Sequence, residues 1–302
     1  PYATDVVEYC DMARYLVGVT HRCGISVRGG LAPEVLTAES STARDVRGGD
    51  EARLARGLSA PGLDPHKLRQ VQADLILAAL SDEDPEGFRQ WAETFISSLS
   101  GRRVSIRDVS ISGLEGMYGT LEAIGGALGA GPKCRELASR IKGQLMIWAD
   151  SFFDRSRGKK IVVISGMDPL TVATGWIADL ARLFSAQYIA IDHQEGSTPS
   201  WADVVAARPD VILVALDGRP LADSVKTIRT LQEFPGWEDT PAVKRGEVLF
   251  ASGQNLYRPG PRLLKGAAVL VSALAGLESG YITERDEYFK LRFVELHRHR
   301  FL

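Results

Sequence analysis

The side chains with the most chemistry to offer are five histidines, three cysteines and five tryptophans. His21, in Val19-Thr20-His21-Arg22-Cys23, and His193, in Ile191-Asp192-His193-Gln194, each follow a short apolar run that reads as a strand. Loops after the carboxyl ends of strands are where open α/β sheets hold ligands, so both imidazoles are candidate ligand contacts. As a metal pair they lack a third ligand at helical spacing, and no metal site is assigned. Cys23 beside His21 suggests a thiol nucleophile, but no companion Asn or Asp stands out and no catalytic residue is assigned. Cys10, Cys23 and Cys134 are far apart, with no CxxC, and read as free, mostly buried thiols. Trp176 follows Asp168-Pro169-Leu170 and Gly175, and Trp201 opens a helix after Pro199-Ser200. A ring at the mouth of a cleft can stack on a flat ligand, the role expected of both. Trp91 and Trp148 fall on amphipathic helices and are expected in the core; Trp237, in Pro235-Gly236-Trp237, is expected to pack locally.

The sequence has no GxSxG, HExxH, GxxxxGK[ST] or GxGxxG motif. Gly29-Gly30 and Gly48-Gly49 are isolated pairs that read as turns rather than phosphate cradles.

The elements that must position these residues alternate between strand and helix. In the first half a helix over 5–15 leads to a strand over 16–20, and Val35-Leu36 offers a second strand. Residues 40–60 read as polar surface. A short helix opens at Pro65, Asp74–Leu80 has the unbroken apolar character of a buried parallel strand, and a helix follows over about 86–99. Val104-Ser105-Ile106 is a strand, and 112–128 is a helix whose glycines allow close packing. Pro132 then opens one long amphipathic pattern through Leu137, Ile141, Leu145, Trp148 and Phe152 to Arg157; about 25 helical residues would reach about 38 Å. The second half repeats the alternation, with strands at 160–165, 188–191, 210–215 and 247–250, and helices at 175–183, 200–207, 221–231 and 260–277. Such alternation predicts parallel sheets with right-handed crossovers. "Q-A-D-L-I-L" at Gln72–Leu77 and "R-P-D-V-I-L-V" at Arg208–Val214 mark a shared unit, so the fold class is α/β, with two similar lobes joined by the long helix. The tail, 278–302, reads as a helix capped by Thr283 with an aromatic stripe of Tyr288, Phe289, Phe293 and Leu296.

Composition narrows the function. The 302 residues suggest about two domains at roughly 150 residues each. With 45% hydrophobic and 25% charged residues the chain is ordinary globular protein, which excludes wholesale disorder and fibrous repeats. A net charge of −2 lacks the basic footprint of a general nucleic-acid binder. No apolar run reaches the roughly 18 residues of a membrane span.

A series of motifs in order carries a resemblance. Asp168-Pro169-Leu170…Gly175-Trp176, Ser200-Trp201-Ala202-Asp203-Val204, Arg208–Val214, Pro235-Gly236-Trp237…Pro241-Ala242-Val243…Gly246-Glu247-Val248 and Tyr257–Arg262 follow one another in the second half. In the first, Pro1-Tyr2-Ala3-Thr4-Asp5, Leu16–Cys23 and Gln72–Leu77 agree. The series resembles the class III substrate-binding proteins of vitamin B12 and iron-siderophore ABC importers. The resemblance covers about residues 1–277. It implies an N-terminal α/β lobe over 1–130 whose first strand precedes Pro1, a lobe-spanning helix over 131–157, a C-terminal α/β lobe over 158–277, and the tail. In each lobe a short, mainly parallel sheet is flanked by helices.

The resemblance also implies a job. The chain would hold a large tetrapyrrole or metal chelate in the inter-lobe cleft, cobalamin first, then haem or a ferric siderophore, for delivery to an ABC importer permease outside the cytoplasm. No covalent cofactor is implied and the chain is not expected to be an enzyme. Candidate ligand contacts are Tyr2, His21, Arg22, Leu80, Trp176, His193, Trp201, Tyr257 and Arg258. Permease docking would use Glu86 on the first lobe and, on the second, Asp203. The sequence departs from the pattern at five places: the usual Ser-x-Glu is Ser200-Trp201-Ala202, the D-Y-P after Cys23 is Gly24-Ile25-Ser26, a cysteine-rich loop has become Ser81-Asp82-Glu83-Asp84, the aromatic that often stacks on corrin near there is Ala79 or Leu80, and the tail is atypical. These departures leave an alternative: a repurposed member of the same fold, acting as a structural or interaction subunit with its tail on a partner chain. In that case the unpaired cysteines and the missing signal peptide would fit an intracellular location.

Overall fold

The computed structural model describes residues 2–23, 32–38, 49–191, 199–283 and 288–290. His193, the Gly29-Gly30 pair, and Phe293, Leu296 and the basic run 297–300 of the tail lie outside the described residues. The chain divides into two compact units, Pro1–Ala138 and Ser139–Leu302, and the division falls within a helix.

The first unit runs through α1 (Tyr2–Tyr9), β1 (Gly18–Val19), β2 (Glu34–Val35), α2 (Asp50–Gly57), α3 (Pro65–Gln70), β3 (Leu75–Ala78), α4 (Pro85–Ser100), β4 (Ser105–Asp108), α5 (Gly113–Ala127) and into α6 (Gly131–Ser151). Its strands form two parallel pairs, β1 with β2 and β3 with β4. Local chemistry starts the helices. The Asp64 carboxylate accepts from the backbone N–H groups of His66 and Lys67 with Pro65 as first helical residue, and Asp84 does the same for Gly87 behind Pro85. Gly101, at a φ of 69°, ends α4. One face of α4 (Phe88, Ala92, Ile96) packs with Leu54, Leu58, Leu68, Val104 and Ile106 into a core. Residues 50–57, expected as polar surface, form α2 instead. Its Ala52 and Leu54 are buried, a spacing too short to show against four charged neighbours over 50–56.

The second unit contains the rest of α6, then α7 (Phe153–Ser156), β5 (Lys160–Met167), β6 (Leu170–Val172), α8 (Trp176–Leu183), β7 (Gln187–Tyr188), α9 (Trp201–Ala207), β8 (Val211–Val214), α10 (Leu221–Lys226), α11 (Ile228–Glu233), α12 (Pro241–Arg245), β9 (Val248–Ala251), α13 (Gly253–Leu256), α14 (Leu263–Ala275) and β10 (Tyr288–Lys290). The sheet order is β10-β9-β8-β5-β6, with β7 also on β5. Strands β7, β5, β8 and β9 are parallel, while β6 and β10 run antiparallel. Ile161–Ile164 and Val211–Val214 are wholly buried, as expected of strands covered on both faces. Burial of each such side chain contributes about 1.5–3 kcal/mol.

Two expectations are corrected. The long helix does not continue to Arg157: α6 has 21 residues, about 32 Å, and ends at Ser151, with the separate turn α7 after Phe152. Of the tail's described residues, 279–283 are turns and bends and 288–290 are strand, with no helix among them. Tyr288, Phe289 and Lys290 pair with Ala251, Phe250 and Leu249. Tyr288 points inward with its hydroxyl donating to the Leu277 carbonyl at 2.5 Å, and Lys290 reaches Glu247 at 2.8 Å. Alternation of buried Tyr288 with exposed Phe289 is a strand pattern, which three residues are too few to reveal beside an aromatic stripe. β10 covers the edge that β9 would otherwise present. We expect Tyr288→Ala to lower the unfolding free energy by about 3 kcal/mol, the low end for a buried aromatic. Phe289→Ala should cost about 0.5 kcal/mol or less, and urea unfolding followed by tryptophan fluorescence compares the two.

Candidate functional site

In the first unit the site elements meet where β1 and β2, and β3 and β4, reach their carboxyl ends. His21 follows β1 and Thr37 follows β2. The His21 backbone N–H donates to Thr37 Oγ1 at 2.9 Å, and the ring Nδ1 lies 2.7 Å from the same hydroxyl. Thr37 is buried, so it fixes the ring from behind. Cys23 is not paired with this imidazole. Its Sγ lies 3.2 Å from the hydroxyls of Thr4, on α1, and of Thr20. Arg22 is exposed. Tyr2 is half-buried and its hydroxyl donates to the Val109 carbonyl, which places it as a brace between α1 and the end of β4. Burial raises its phenol well above the ordinary value. Leu80 is half-buried against the core, and its N–H lies 3.1 Å from Ser110 Oγ and 3.3 Å from Asp108 Oδ1, both beyond the facing strand β4 or at its end.

In the second unit the carboxyl-terminal part of β5, the loop after β8 and the start of α13 are tied together. Asp217 N–H donates to the Ser165 carbonyl at 2.9 Å, and Ser165 Oγ lies 3.2 Å from Thr171 Oγ1 of β6. Gly253, opening α13, lies so close to the end of β8 that a Cβ there would sit 1.8 Å from the Leu216 carbonyl oxygen, so only glycine fits. Tyr188 closes the opposite edge, donating to the Ala173 carbonyl at 2.5 Å. Trp176 is half-buried at the first position of α8. Tyr257 ends α13. Its hydroxyl is sealed from solvent near Ser165, Tyr188 and Asp217, yet meets no partner at hydrogen-bonding geometry. Burial drives this phenol, like that of Tyr188, far above the ordinary tyrosine value. Arg258 is half-buried beside it.

The structure corrects the reading of Trp201. Its ring is 5% exposed, stacks on Phe234 at 5.2 Å and tilts against Trp237 at 5.7 Å, inside the core formed by Val162, Val204, Ile212, Leu231 and Phe250. The residue at the first helical position after a capping serine can face either way, and here the i, i+3 partner Val204 takes it inward. Trp91 stacks on Phe95 at 5.3 Å under Arg53. What sequence reasoning missed is the hydroxyl set behind the site: Thr37, Ser165 and Ser110 carry no distinguishing pattern. Among the described residues, no three His, Cys, Asp or Glu side chains could jointly hold a metal ion, and no helix is long and apolar enough to cross a membrane.

Comparison with solved structures gives whole-chain matches. A Staphylococcus epidermidis protein described as a possible iron-binding periplasmic solute-binding protein is 18% identical, with a TM-score of 0.66 over 91% of this chain and 95% of its own. A periplasmic haem-binding protein of Pseudomonas aeruginosa is 17% identical, with a TM-score of 0.66 over 96% and 95%. The periplasmic vitamin B12-binding protein of Vibrio cholerae is 16% identical, with a TM-score of 0.63 over 91% and 93%. The fold is that of the class III solute-binding proteins. No family model and no curated protein matches the sequence. On this class III fold Glu86 lies in the first turn of α4, 63% exposed, and accepts hydrogen bonds from Arg89 and from Gln90 at 3.0 Å. The Arg89 hydrogen bond holds its carboxyl below the usual range. Asp203 is exposed but serves its own helix: Oδ2 accepts from Ser200 N–H at 2.9 Å and from Ser200 Oγ at 2.6 Å, closing a capping box.

The buried phenols make the second unit alkali-sensitive. In an unfolded chain tyrosine ionises near about 10, whereas folded Tyr188 and Tyr257 hold their protons above that. Their contribution is therefore complete below about pH 10 and is lost as pH rises beyond it, because the unfolded chain then binds fewer protons. Tyr257→Phe removes a buried hydroxyl with no partner. It is expected to leave neutral-pH stability unchanged or raised, and to move the alkaline unfolding midpoint upward in circular dichroism.

Proposed function

We propose that this chain is the extracytoplasmic solute-binding subunit of an ABC importer, and that its cargo is a flat, bulky metal chelate, cobalamin first, then haem or a ferric siderophore. What supports the reading is that His21 and Arg22 follow β1, and Tyr257 and Arg258 follow β9, each beyond the carboxyl end of a parallel strand. The matched structures of this fold are described as binding haem, vitamin B12 or iron. No bond of the cargo is made or broken in this reading.

The residues divide the work. Trp176 and Tyr257 offer rings for a planar face. Arg22 and Arg258 meet propionate, amide or phosphate oxygens on the rim. The His21 ring is held through Nδ1, so Nε2 is the atom offered to cargo. If Nδ1–H donates to Thr37, the Nε2 lone pair can ligate the chelated metal. If Thr37 donates to Nδ1, the Nε2–H meets an oxygen acceptor instead. Tyr2 and Leu80 support the loops beside these groups. Glu86 is the docking carboxylate proposed for the permease, with an arginine of the permease competing for it against Arg89. Asp203 is the weaker second candidate, because its oxygen already caps α9.

The test is a parallel titration of purified protein with cyanocobalamin, haem and a ferric siderophore, read by tryptophan fluorescence. One ligand should give saturable quenching at micromolar or tighter affinity. Trp176→Ala should weaken that binding about tenfold, equivalent to about 1.4 kcal/mol, without altering the melting temperature by more than a degree or two. Tyr257→Phe keeps the ring and should leave that binding within about twofold of the parent. A folded protein that responds to none of the three up to millimolar concentration defeats the proposal.

A further inference from the structure

We propose that Cys10 and Cys134 form an intramolecular disulfide that fastens α1 to α6 within the first unit. The two Sγ atoms lie 3.6 Å apart across 124 residues of sequence. Both side chains are buried, Cys10 at 5% and Cys134 at 0% exposure. Closing to a bond of about 2.05 Å needs a movement of only about 1.5 Å, within reach of side-chain rotation and a small shift of one helix. The slot is built for this thiol: a Cβ on Gly125 of α5 would lie 2.7 Å from Cys134 Cβ and 2.9 Å from its Sγ. A second tie joins the adjacent positions of the same two segments, since Lys133 Nζ meets Asp11 Oδ2 at 2.5 Å. Cys23 is engaged elsewhere, with Thr4 and Thr20.

The chemistry is thiol–disulfide exchange with a small-molecule disulfide or a dithiol oxidoreductase as oxidant. The Cys10 thiolate attacks one sulfur of the oxidant's disulfide and releases one thiolate, leaving a mixed disulfide on Cys10. The Cys134 thiolate then attacks the Cys10 sulfur and expels the second thiolate. The two protons lost by the protein are taken up by the leaving thiolates, so two protein thiols are oxidised and one oxidant disulfide is reduced to two thiols. In the closed fold the reaction is slow. Burial pushes the Cys134 thiol up to about 12, which leaves little thiolate. Helix α1 has eight residues and is too short to persist unless docked. The bond therefore forms during folding, or when α1 transiently undocks, and afterwards holds Tyr2 and Thr4 in place beside the β1 loop.

The inference rests on the proposed function only for the oxidising compartment that would supply the oxidant. The experiment uses the purified full chain, denatured in reductant and refolded with glutathione disulfide, then alkylated in denaturant. The expected product has one alkylatable thiol rather than the three of the reduced chain, and a mass lower by two hydrogens. Peptide mapping should find Cys10 joined to Cys134, and Cys23→Ser should still form the bridge. The oxidised protein should melt about 5–10 °C above the reduced one. Three alkylatable thiols after refolding, or a bridge that uses Cys23, would overturn the inference. Failure of the ligand titration leaves the thiol count untouched, so the two readings fall separately.

Discussion

Strand β5 can tolerate no unpaired peptide group. Its Ile161–Ile164 core is shut off from water, and a buried N–H or C=O without a partner costs as much as a lost hydrogen bond. The pairing is met on one side by β8 along Ile161–Ile164, and on the other by β7 at the start and β6 at the end. That register decides where the neighbouring strands stop. Because Ile164 pairs with Val214, the chain leaves β8 while β5 runs on to Met167, and Asp217 comes within reach of the Ser165 carbonyl. The close approach of Gly253 to Leu216 then brings α13 and Tyr257 against the same edge. The candidate site of the second unit is thus a by-product of backbone accounting in one strand.

Against that frame the tyrosines separate into two kinds. Tyr2, Tyr188 and Tyr288 each donate to a main-chain carbonyl, of Val109, Ala173 and Leu277, and act as pegs between elements. Tyr257 is buried to the same purpose sterically but has no acceptor. The indole N–H groups of Trp201 and Trp237 also lack partners, but they sit in an apolar cluster where no polar neighbour is at hand. Tyr257 instead lies among the polar groups of Ser165, Tyr188 and Asp217.

Much of the architecture could be read from residue order because buried parallel strands are written as unbroken apolar runs. Ile161–Ile164, Leu75–Leu77 and Val211–Val214 announce themselves, and Pro65 and Pro132 mark helix starts. Short antiparallel pieces do not. β6 and β10 have three residues each, below the length at which alternation can be told from a helical stripe. Residues 50–57 hid a helix because only two apolar side chains serve it. The positions of His21 and Trp176 after strands were legible, whereas the inward turn of Trp201 depended on Phe234 and Trp237, more than 30 residues away. The meeting of Cys10 and Cys134 was beyond any local pattern, since it arises only when α1 docks beside α6.

The order of the sheet has a consequence for synthesis. A ribosome releases β5, β8 and β9 well before Tyr288, so the parallel core is assembled while its β9 border is still bare. At roughly 5–20 residues per second, the interval between Ala251 and Tyr288 lasts on the order of several seconds. For that time the nascent sheet offers a row of unsatisfied amides to any other extended chain nearby. Among the described strands β10 is made last and ends this exposure, so the second unit is shielded from its neighbours only some time after its parallel core has collapsed.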